Sequence, residues 1–135
     1  MPDLGVPAEE MNTKISLEVP EGWNTYKIGE AIEINVEVIA KEKIAFEYDY
    51  DAKIFVLEEK EWVEVPNLME YPEGTLILPP SNGEPHLQGS ASVDPVLPKL
   101  DRQVTVRIVL MGNIYRNEQV TDERVASYVD VDLKP

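Results

Sequence analysis

Strict alternation of apolar and polar residues is the main pattern of this chain. It is clearest in residues 26–38, YKIGEAIEINVEV, where a turn at Gly29-Glu30 leads into a strand. Successive side chains of a strand point to opposite faces, so this run has one buried face and one face in water. The inward set is Ile32, Ile34, Val36 and Val38, and the outward set is Glu33, Asn35 and Glu37. The pattern is typical of a strand in an antiparallel sandwich.

The same alternation recurs in several segments, and with the β-rich runs and turn signals between them it predicts seven or eight strands. Residues 58–61 are a charged tip between two β-rich runs and indicate a hairpin, with a short helix as the alternative. Seven of the predicted strands cover residues 13–19, 26–38, 44–50, 53–57, 62–65, 102–110 and 124–133. Between 110 and 124 we expect a turn or bulge at Gly112-Asn113 and a polar loop. The predicted fold is all-β, with two packed antiparallel sheets.

Residues 66–100 interrupt this regularity. They hold seven of the chain's eleven prolines, namely Pro66, Pro72, Pro79, Pro80, Pro85, Pro95 and Pro98. Proline lacks a donor for the strand ladder, so we expect a long loop with short strands at residues 75–78 and, as a second candidate, 86–93. Connections this long in a compact domain are more often functional or internally structured than idle. We therefore expect this loop to present a surface for a protein partner.

The length of 135 residues fits one domain with a sizeable core. Residues 1–12 are polar, proline-containing and aperiodic, which predicts a flexible N-terminal tether before a sandwich domain at residues 13–135. The given chain has no basic-then-apolar leader and no apolar run of about 20 residues, so we expect no membrane insertion by this segment. The tether would suit a chain that follows a removed signal or lipid anchor.

Charge and cysteine content exclude several classes of function. Twelve basic and twenty-six acidic residues give a net charge of −14, which repels phosphate backbones and anionic lipids, so we expect no binding to nucleic acid. The chain has no cysteine, and disulfides, thiolate nucleophiles and cysteine-bound metals are therefore absent. We expect no cofactor other than a calcium ion.

Calcium prefers several carboxylate oxygens, and the best candidates are three alternating acidic residues. Glu47, Asp49 and Asp51 would share one face of a strand at this spacing. Asp130 and Asp132 repeat the spacing near the end of the chain. The alternative is a solvated acidic face that serves solubility.

His86 is the only histidine and the first place to look for acid–base catalysis. Ser90, Ser92 and Asp94 lie near it in sequence, but a catalytic triad needs rigid supports that one proline- and glycine-containing loop does not supply. We also find no nucleophile paired with a base and no phosphate-binding glycine loop. The sequence predicts a non-enzymatic protein, in which His86 is a loop residue available to a ligand or partner.

Aromatic rings that remain exposed could stack on a sugar or anchor a partner. Trp23 lies in a predicted loop and Tyr128 on the outward face of the last strand, and Tyr71 lies in the proline-rich segment. These three rings are the candidates for carbohydrate or protein contact. Trp62 is expected in the core instead, as is common for a mid-chain tryptophan in a sandwich.

The order of features resembles bacterial immunoglobulin-like domains of surface proteins and lipoproteins. The residues that carry the resemblance are Tyr26-Lys27-Ile28-Gly29-Glu30, Trp62, Leu78-Pro79-Pro80 and Val106-Arg107-Ile108, within residues 13–133. Such domains usually lack paired cysteines, as this chain does. The resemblance implies an immunoglobulin-like sandwich, with residues 66–100 longer than the usual connection.

The resemblance implies a non-catalytic binding or spacer module, located outside the cytoplasm or at the cell surface. The general fold is also similar to that of a small bacterial proteinase inhibitor family of acidic single sandwiches, a likeness of architecture without an inhibitory loop motif. The alternatives to the module are therefore a proteinase inhibitor and a carbohydrate-binding module.

Overall fold

A computed structural model gives the fold of residues 3–20, 25–27, 29–84, 88–97 and 102–135. These residues form ten strands and one 3₁₀ turn at Ala8–Glu10. The strands are β1 (Ile15–Glu18), β2 (Thr25–Lys27), β3 (Ile32–Val38), β4 (Lys43–Glu47), β5 (Lys53–Glu58), β6 (Glu61–Val65), β7 (Thr75–Leu78), β8 (Gly89–Val93), β9 (Val104–Arg116) and β10 (Gln119–Lys134). The all-β prediction is confirmed, although the strands outnumber the seven or eight expected. Within the described ranges, no helix has the length and apolar character needed to cross a bilayer.

The ten strands belong to two sheets. The smaller sheet has the order β1-β3-β8. The larger has seven strands, with β2-β10-β9-β4-β7 along one path and the β5-β6 hairpin attached to β9. Strand β2 runs parallel to β10, and the other pairs are antiparallel. The larger sheet can be this wide because β9 is long enough to pair with β5 through its first half and with β4 near its end.

The core lies between the two sheets. The inward residues of β3, Ile32, Ile34, Val36 and Val38, are at most 1% exposed, as their alternation predicts. They belong to one apolar cluster with residues of β4, β5 and β9, including Ile44, Ile54, Val106 and Ile108. Burial of these aliphatic faces is the main term that holds the sandwich together. The predicted sandwich is thereby confirmed.

Residues 26–38 are not one strand. Their first part is β2 in the larger sheet, and their second part is β3 in the smaller sheet. Gly29 lies between them with a φ of +96°, a conformation that glycine adopts without steric cost. The predicted turn is therefore present, but it moves the chain from one sheet to the other.

The last two strands are longer than predicted. A turn at Asn117-Glu118, with φ of 54° and 60°, joins β9 and β10 in place of the expected polar loop. Two positive φ values fit the tight turns that match strand twist. Gly112 is not a turn but an interior residue of β9. An added Cβ there would lie 2.8 Å from the Ala45 carbonyl oxygen, so the glycine permits close approach of β4.

Residues 66–100 are internally structured where they are described. Strand β7 coincides with the predicted 75–78 and pairs with β4. Strand β8 lies within the predicted 86–93 and pairs with β3. The segment thus contributes one strand to each sheet, and its described residues are not one long loop.

Residues 3–12 do not form the flexible tether that the sequence predicts. Leu4, Val6 and Met11 pack against buried side chains of the larger sheet, on the face away from the core. The Asn12 N–H donates to the Ala126 carbonyl oxygen at 3.2 Å, and the Asn12 Oδ1 accepts from the Tyr128 N–H at 2.8 Å. The segment packs here because the outer face of this sheet carries apolar side chains that it removes from water.

Candidate binding surface

The outer face of the larger sheet carries a second apolar cluster. Phe55 of β5, Val109 and Met111 of β9, and Ala126 of β10 are at most 4% exposed. They alternate with core residues along each strand and therefore point away from the sandwich interior. Residues 3–12 cover part of this cluster, and Trp62 and Tyr128 pack at it.

A stacked arginine lies on the same face. The guanidinium carbon of Arg107 is 4.4 Å from the ring centroid of Trp62 and 4.0 Å from that of Tyr128. Both distances are within the roughly 6 Å over which a cation is attracted to an aromatic face. Because β6, β9 and β10 each supply one of the three side chains, the sheet itself sets their spacing.

Asp130 fixes the plane of this guanidinium. The Arg107 Nε donates to Asp130 Oδ1 at 2.8 Å and Nη2 donates to Oδ2 at 3.0 Å. This paired geometry is stronger and more directional than a single ion contact. The hydrogen bonds that Arg107 donates to Asp130 raise the pKa of Arg107, so the cation persists. The Arg107 side chain is 20% exposed and that of Asp130 is 40% exposed, which leaves the ordered group accessible from solvent.

A groove of about 290 Å³ adjoins the stack. Its lining is Asp3, Leu4, Val6, Ala8 and Met11 from the N-terminal segment, with Arg107 and Tyr128 from the sheet. We call the groove together with Trp62, Arg107, Tyr128 and Asp130 the Arg107 surface. It combines an apolar depression with polar groups in fixed positions, as binding sites commonly do.

The structure revises the roles of two predicted aromatic residues. Tyr128 is half-buried in the stack and not an exposed ring on an open strand face. The sequence predicts Trp62 in the core, but Trp62 is half-buried on the outer face, because it pairs with Leu57 in the hairpin and shares a face with Glu64. The sequence signal for this was the spacing of Trp62 and Glu64, which places a tryptophan and a carboxylate on one side of β6.

The predicted calcium residues do not share a strand face. Glu47 ends β4, while Asp49 and Asp51 lie in the turn that follows. The Asp49 Oδ1 accepts from the Asp51 N–H at 2.8 Å, and the Asp51 carboxylate accepts from Arg124 Nη2 at 2.8 Å. The strand-face premise is wrong, because Tyr50 and Asp51 both take positive φ and turn the chain.

Other acidic residues have similar polar partners. Asp132 accepts a hydrogen bond from the Thr105 hydroxyl at 3.0 Å, beside the Arg107–Asp130 pair. Over the part of the chain that the structure describes, no group of three or more histidine or acidic side chains is placed to hold a metal.

Tyr71 serves as a connection inside residues 66–100. Its hydroxyl donates to the Ser92 carbonyl oxygen and accepts from Asn67 Nδ2 at 2.9 Å. Burial raises the pKa of Tyr71, against the effect of the Asn67 hydrogen bond. Its hydroxyl is therefore occupied within the fold. Trp23 and His86, the remaining candidates, lie outside the described residues.

The outer face of the smaller sheet is polar. A depression of about 360 Å³ there is lined by Ser16, Glu18, Asn35, Val36, Glu37, Gln88, Gly89 and Ser90. The Ser92 hydroxyl donates to Glu33 Oε1 and the Ser81 hydroxyl donates to Glu37 Oε2, each at 2.7 Å. None of these lining residues is aromatic, so this depression offers no ring for a sugar face. The two outer faces thus differ sharply in character.

No known family model matches this chain, and no curated protein matches it. Among solved structures, the sporulation control protein Spo0M from Bacillus subtilis is similar, with a TM-score of 0.43 and 12% sequence identity. The likeness covers 90% of this chain and 49% of that protein, so the chain spans about half its length. A likeness at this level carries no argument about function.

Proposed function

We propose that this chain is a non-catalytic protein-binding module and that the Arg107 surface is its binding site. The observation that carries the proposal is the stack of Trp62, Arg107 and Tyr128 on the outer face of the larger sheet. Tryptophan, tyrosine and arginine are the residue types that contribute most binding energy at protein interfaces. They are brought together here from three strands beside an apolar groove.

The fixed geometry of the stack favours binding. Ordering a long side chain on association costs about 0.5–1.5 kcal/mol. Arg107 is already held by two rings and by Asp130, so a partner would not need to order it. The groove beside it can take an apolar side chain of the partner.

Charge indicates the chemistry of the partner. The chain carries a net charge of −14, and Asp3 and Asp130 lie at the Arg107 surface. Complementary charge steers association and excludes wrong partners. The partner is therefore a protein that offers an apolar anchor side chain with basic residues around it.

The proposed setting is a bacterial surface protein or lipoprotein, in which the domain binds or spaces partners outside the cytoplasm. Support for the setting is the sequence resemblance to immunoglobulin-like surface domains. Support for the non-catalytic role is the sequence, in which no nucleophile is paired with a base.

Photo-crosslinking from defined positions tests this function. Benzoylphenylalanine replaces Ala8, which is exposed and lines the groove, or Ser90, which is exposed on the polar face of the other sheet. In cells that produce the protein, we expect one discrete protein adduct from position 8 and none from position 90. The adduct should disappear when Tyr128→Ala is added. Equal adducts from both positions, or none from position 8, would contradict the proposal.

Two further assays separate this function from its alternatives. If the chain inhibits a protease at nanomolar concentration and the Tyr128→Ala variant inhibits it equally, the chain is a proteinase inhibitor that uses a site other than the Arg107 surface. Specific signals on a glycan array that survive the same change would assign a carbohydrate-binding module. We expect neither.

A further inference from the structure

Strand β6 is an edge of the larger sheet. It pairs with β5 and with no other strand in the described part of the chain. Its middle residue, Val63, is 42% exposed. An open edge presents unpaired N–H and C=O groups, which form a template for another extended chain.

The register identifies the free backbone groups. The β5-β6 turn is Glu59-Lys60, with φ of 45° and 72°, and Glu58 pairs with Glu61 across it. In a two-residue hairpin the pair that flanks the turn exchanges hydrogen bonds, and every second pair does so thereafter. The backbone groups of Glu61, Val63 and Val65 therefore point toward β5. Those of Trp62 and Glu64 point to the open edge.

The charged side chains at and beside this edge are mostly acidic. Glu58, Glu59 and Glu61 line a depression of about 500 Å³ with Val63 and Arg102. Glu64 forms an exposed pair with Lys53 at 3.8 Å. A second copy is a poor occupant, because antiparallel β6 strands would bring glutamates of two chains with charge −14 together. A basic chain is the complementary occupant.

We infer that β6 accepts an extended, basic segment of a partner protein as an additional strand. The backbone groups of Trp62 and Glu64 pair with that segment, its basic side chains face the glutamate-lined depression, and its alternate apolar side chains lie toward Trp62. Main-chain pairing of this kind supplies affinity, while the side chains supply specificity. The inference goes beyond the proposed function, since it concerns the backbone of a sheet edge and not the groove, although Trp62 belongs to both.

A peptide of defined sequence tests the inference. The probe is a fluorescein-labelled heptapeptide that alternates lysine with valine, at about 50 mM salt, where charge is weakly screened. We expect saturable binding by fluorescence anisotropy and no binding of the matching glutamate–valine peptide. N-methylation of alternate peptide nitrogens should weaken binding about tenfold or more. Absence of lysine–valine binding up to about 1 mM would overturn the inference.

Two variants at one position separate backbone pairing from charge. Glu64→Pro removes the outward N–H at a place where edge strands accept proline, whereas Glu64→Thr removes only the carboxylate. We expect Glu64→Pro to weaken binding about tenfold more than Glu64→Thr. Equal affinities would show adsorption by charge alone and overturn the inference. Glu84→Lys is the charge control and should change little, because Glu84 is exposed in a turn that is hydrogen-bonded to the end of β3 in the other sheet.

Hydrogen exchange keeps the test decisive if Glu64→Pro does not fold. In the wild type, peptide binding should slow exchange of the Trp62 and Glu64 amides about tenfold or more, and unchanged rates would overturn the inference. The same protection without peptide, together with a dimer in sedimentation, would assign the edge to a second copy instead. Leu4→Ser, which changes the groove but none of the three stacked side chains, should leave peptide affinity unchanged, so failure here is distinguishable from failure of the Arg107 surface.

Discussion

The guanidinium carbon of Arg107 lies 4.0 Å from the ring centroid of Tyr128, although the two residues are not opposite each other in the β9-β10 ladder. Tyr128 pairs with Val109, and Arg107 pairs with Asp130. The Arg107 side chain therefore runs diagonally across the face to reach the ring. Diagonal neighbours in a sheet are within reach of aromatic and long side chains.

We expect a measurable coupling between these two residues. Arg107→Met and Tyr128→Leu, singly and together, form a double-mutant cycle for the free energy of unfolding in urea. A cation–aromatic contact at a partly exposed site contributes about 0.5–1 kcal/mol, and the cycle should return a coupling of that size. Strictly additive effects would show that the contact has no energetic consequence.

The packing of residues 3–12 predicts a loss of stability when its apolar side chains are changed. Leu4→Ser and Val6→Ser each remove an apolar side chain that packs on the outer cluster. Each should lower the free energy of unfolding by about 1 kcal/mol. Glu9→Ser, at an exposed position of the same segment, is the control and should have little effect. If all three variants match the wild type in urea unfolding, the segment is the flexible tether of the sequence prediction.

Close approach of two strands makes Gly112 sensitive to substitution. In Gly112→Ala, the new Cβ would lie 2.8 Å from both the Ala45 carbonyl oxygen and Phe46 Cδ1. Overpacking of this kind costs about 2–3 kcal/mol. The comparison is Gly83→Ala, which meets no atoms within 4 Å but has a φ of +85°, and should cost about 1 kcal/mol. A larger loss of unfolding free energy for Gly83→Ala than for Gly112→Ala in urea would contradict the close packing of β9 against β4 at Gly112.

Tyr50 makes stability depend on alkaline pH. Its hydroxyl is buried without a hydrogen-bond partner among the described residues, and burial raises its pKa. The folded state therefore favours the neutral phenol. Ionisation of Tyr50 therefore leaves the free energy of unfolding unchanged below the unfolded pKa of about 10. Above it the unfolded chain ionises first, and the free energy of unfolding falls as pH rises through the folded value.

Tyr50→Phe should consequently raise the free energy of unfolding by about 1 kcal/mol at pH 7, because it removes an unpaired buried hydroxyl. Its advantage over the wild type should grow above a pH of about 10. Urea unfolding at neutral and alkaline pH measures both effects. An advantage that stays constant over this range would contradict the assignment to Tyr50.

Local alternation was sufficient to predict the strands whose faces differ cleanly. It identified the buried face of β3. The β5-β6 hairpin was predictable from two β-rich runs around a charged tip, and β7 from a short apolar run between prolines. Alternation did not reveal that Gly29 transfers the chain between sheets, because both flanking strands have similar patterns and only tertiary pairing separates them.

The Arg107 surface was harder to foresee. Alternation within residues 102–110 predicts that Arg107 faces outward. Its neighbours Trp62 and Tyr128, however, come from two other strands whose register is set by long-range pairing. The prediction that Glu47, Asp49 and Asp51 share a strand face failed because the backbone turns at Tyr50 and Asp51, which both have positive φ. Neither residue is a glycine, so the turn left no strong signal.

The most direct test of the Arg107 surface is the affinity of the cross-linked partner, measured by titration calorimetry once that protein is purified. We expect Arg107→Ala and Tyr128→Ala each to weaken binding about tenfold or more, as interface anchors do. Asn35→Ala, on the polar face of the other sheet, should leave affinity unchanged. Unchanged affinity for both Arg107→Ala and Tyr128→Ala, with loss on Asn35→Ala, would contradict the account and move the site to the smaller sheet.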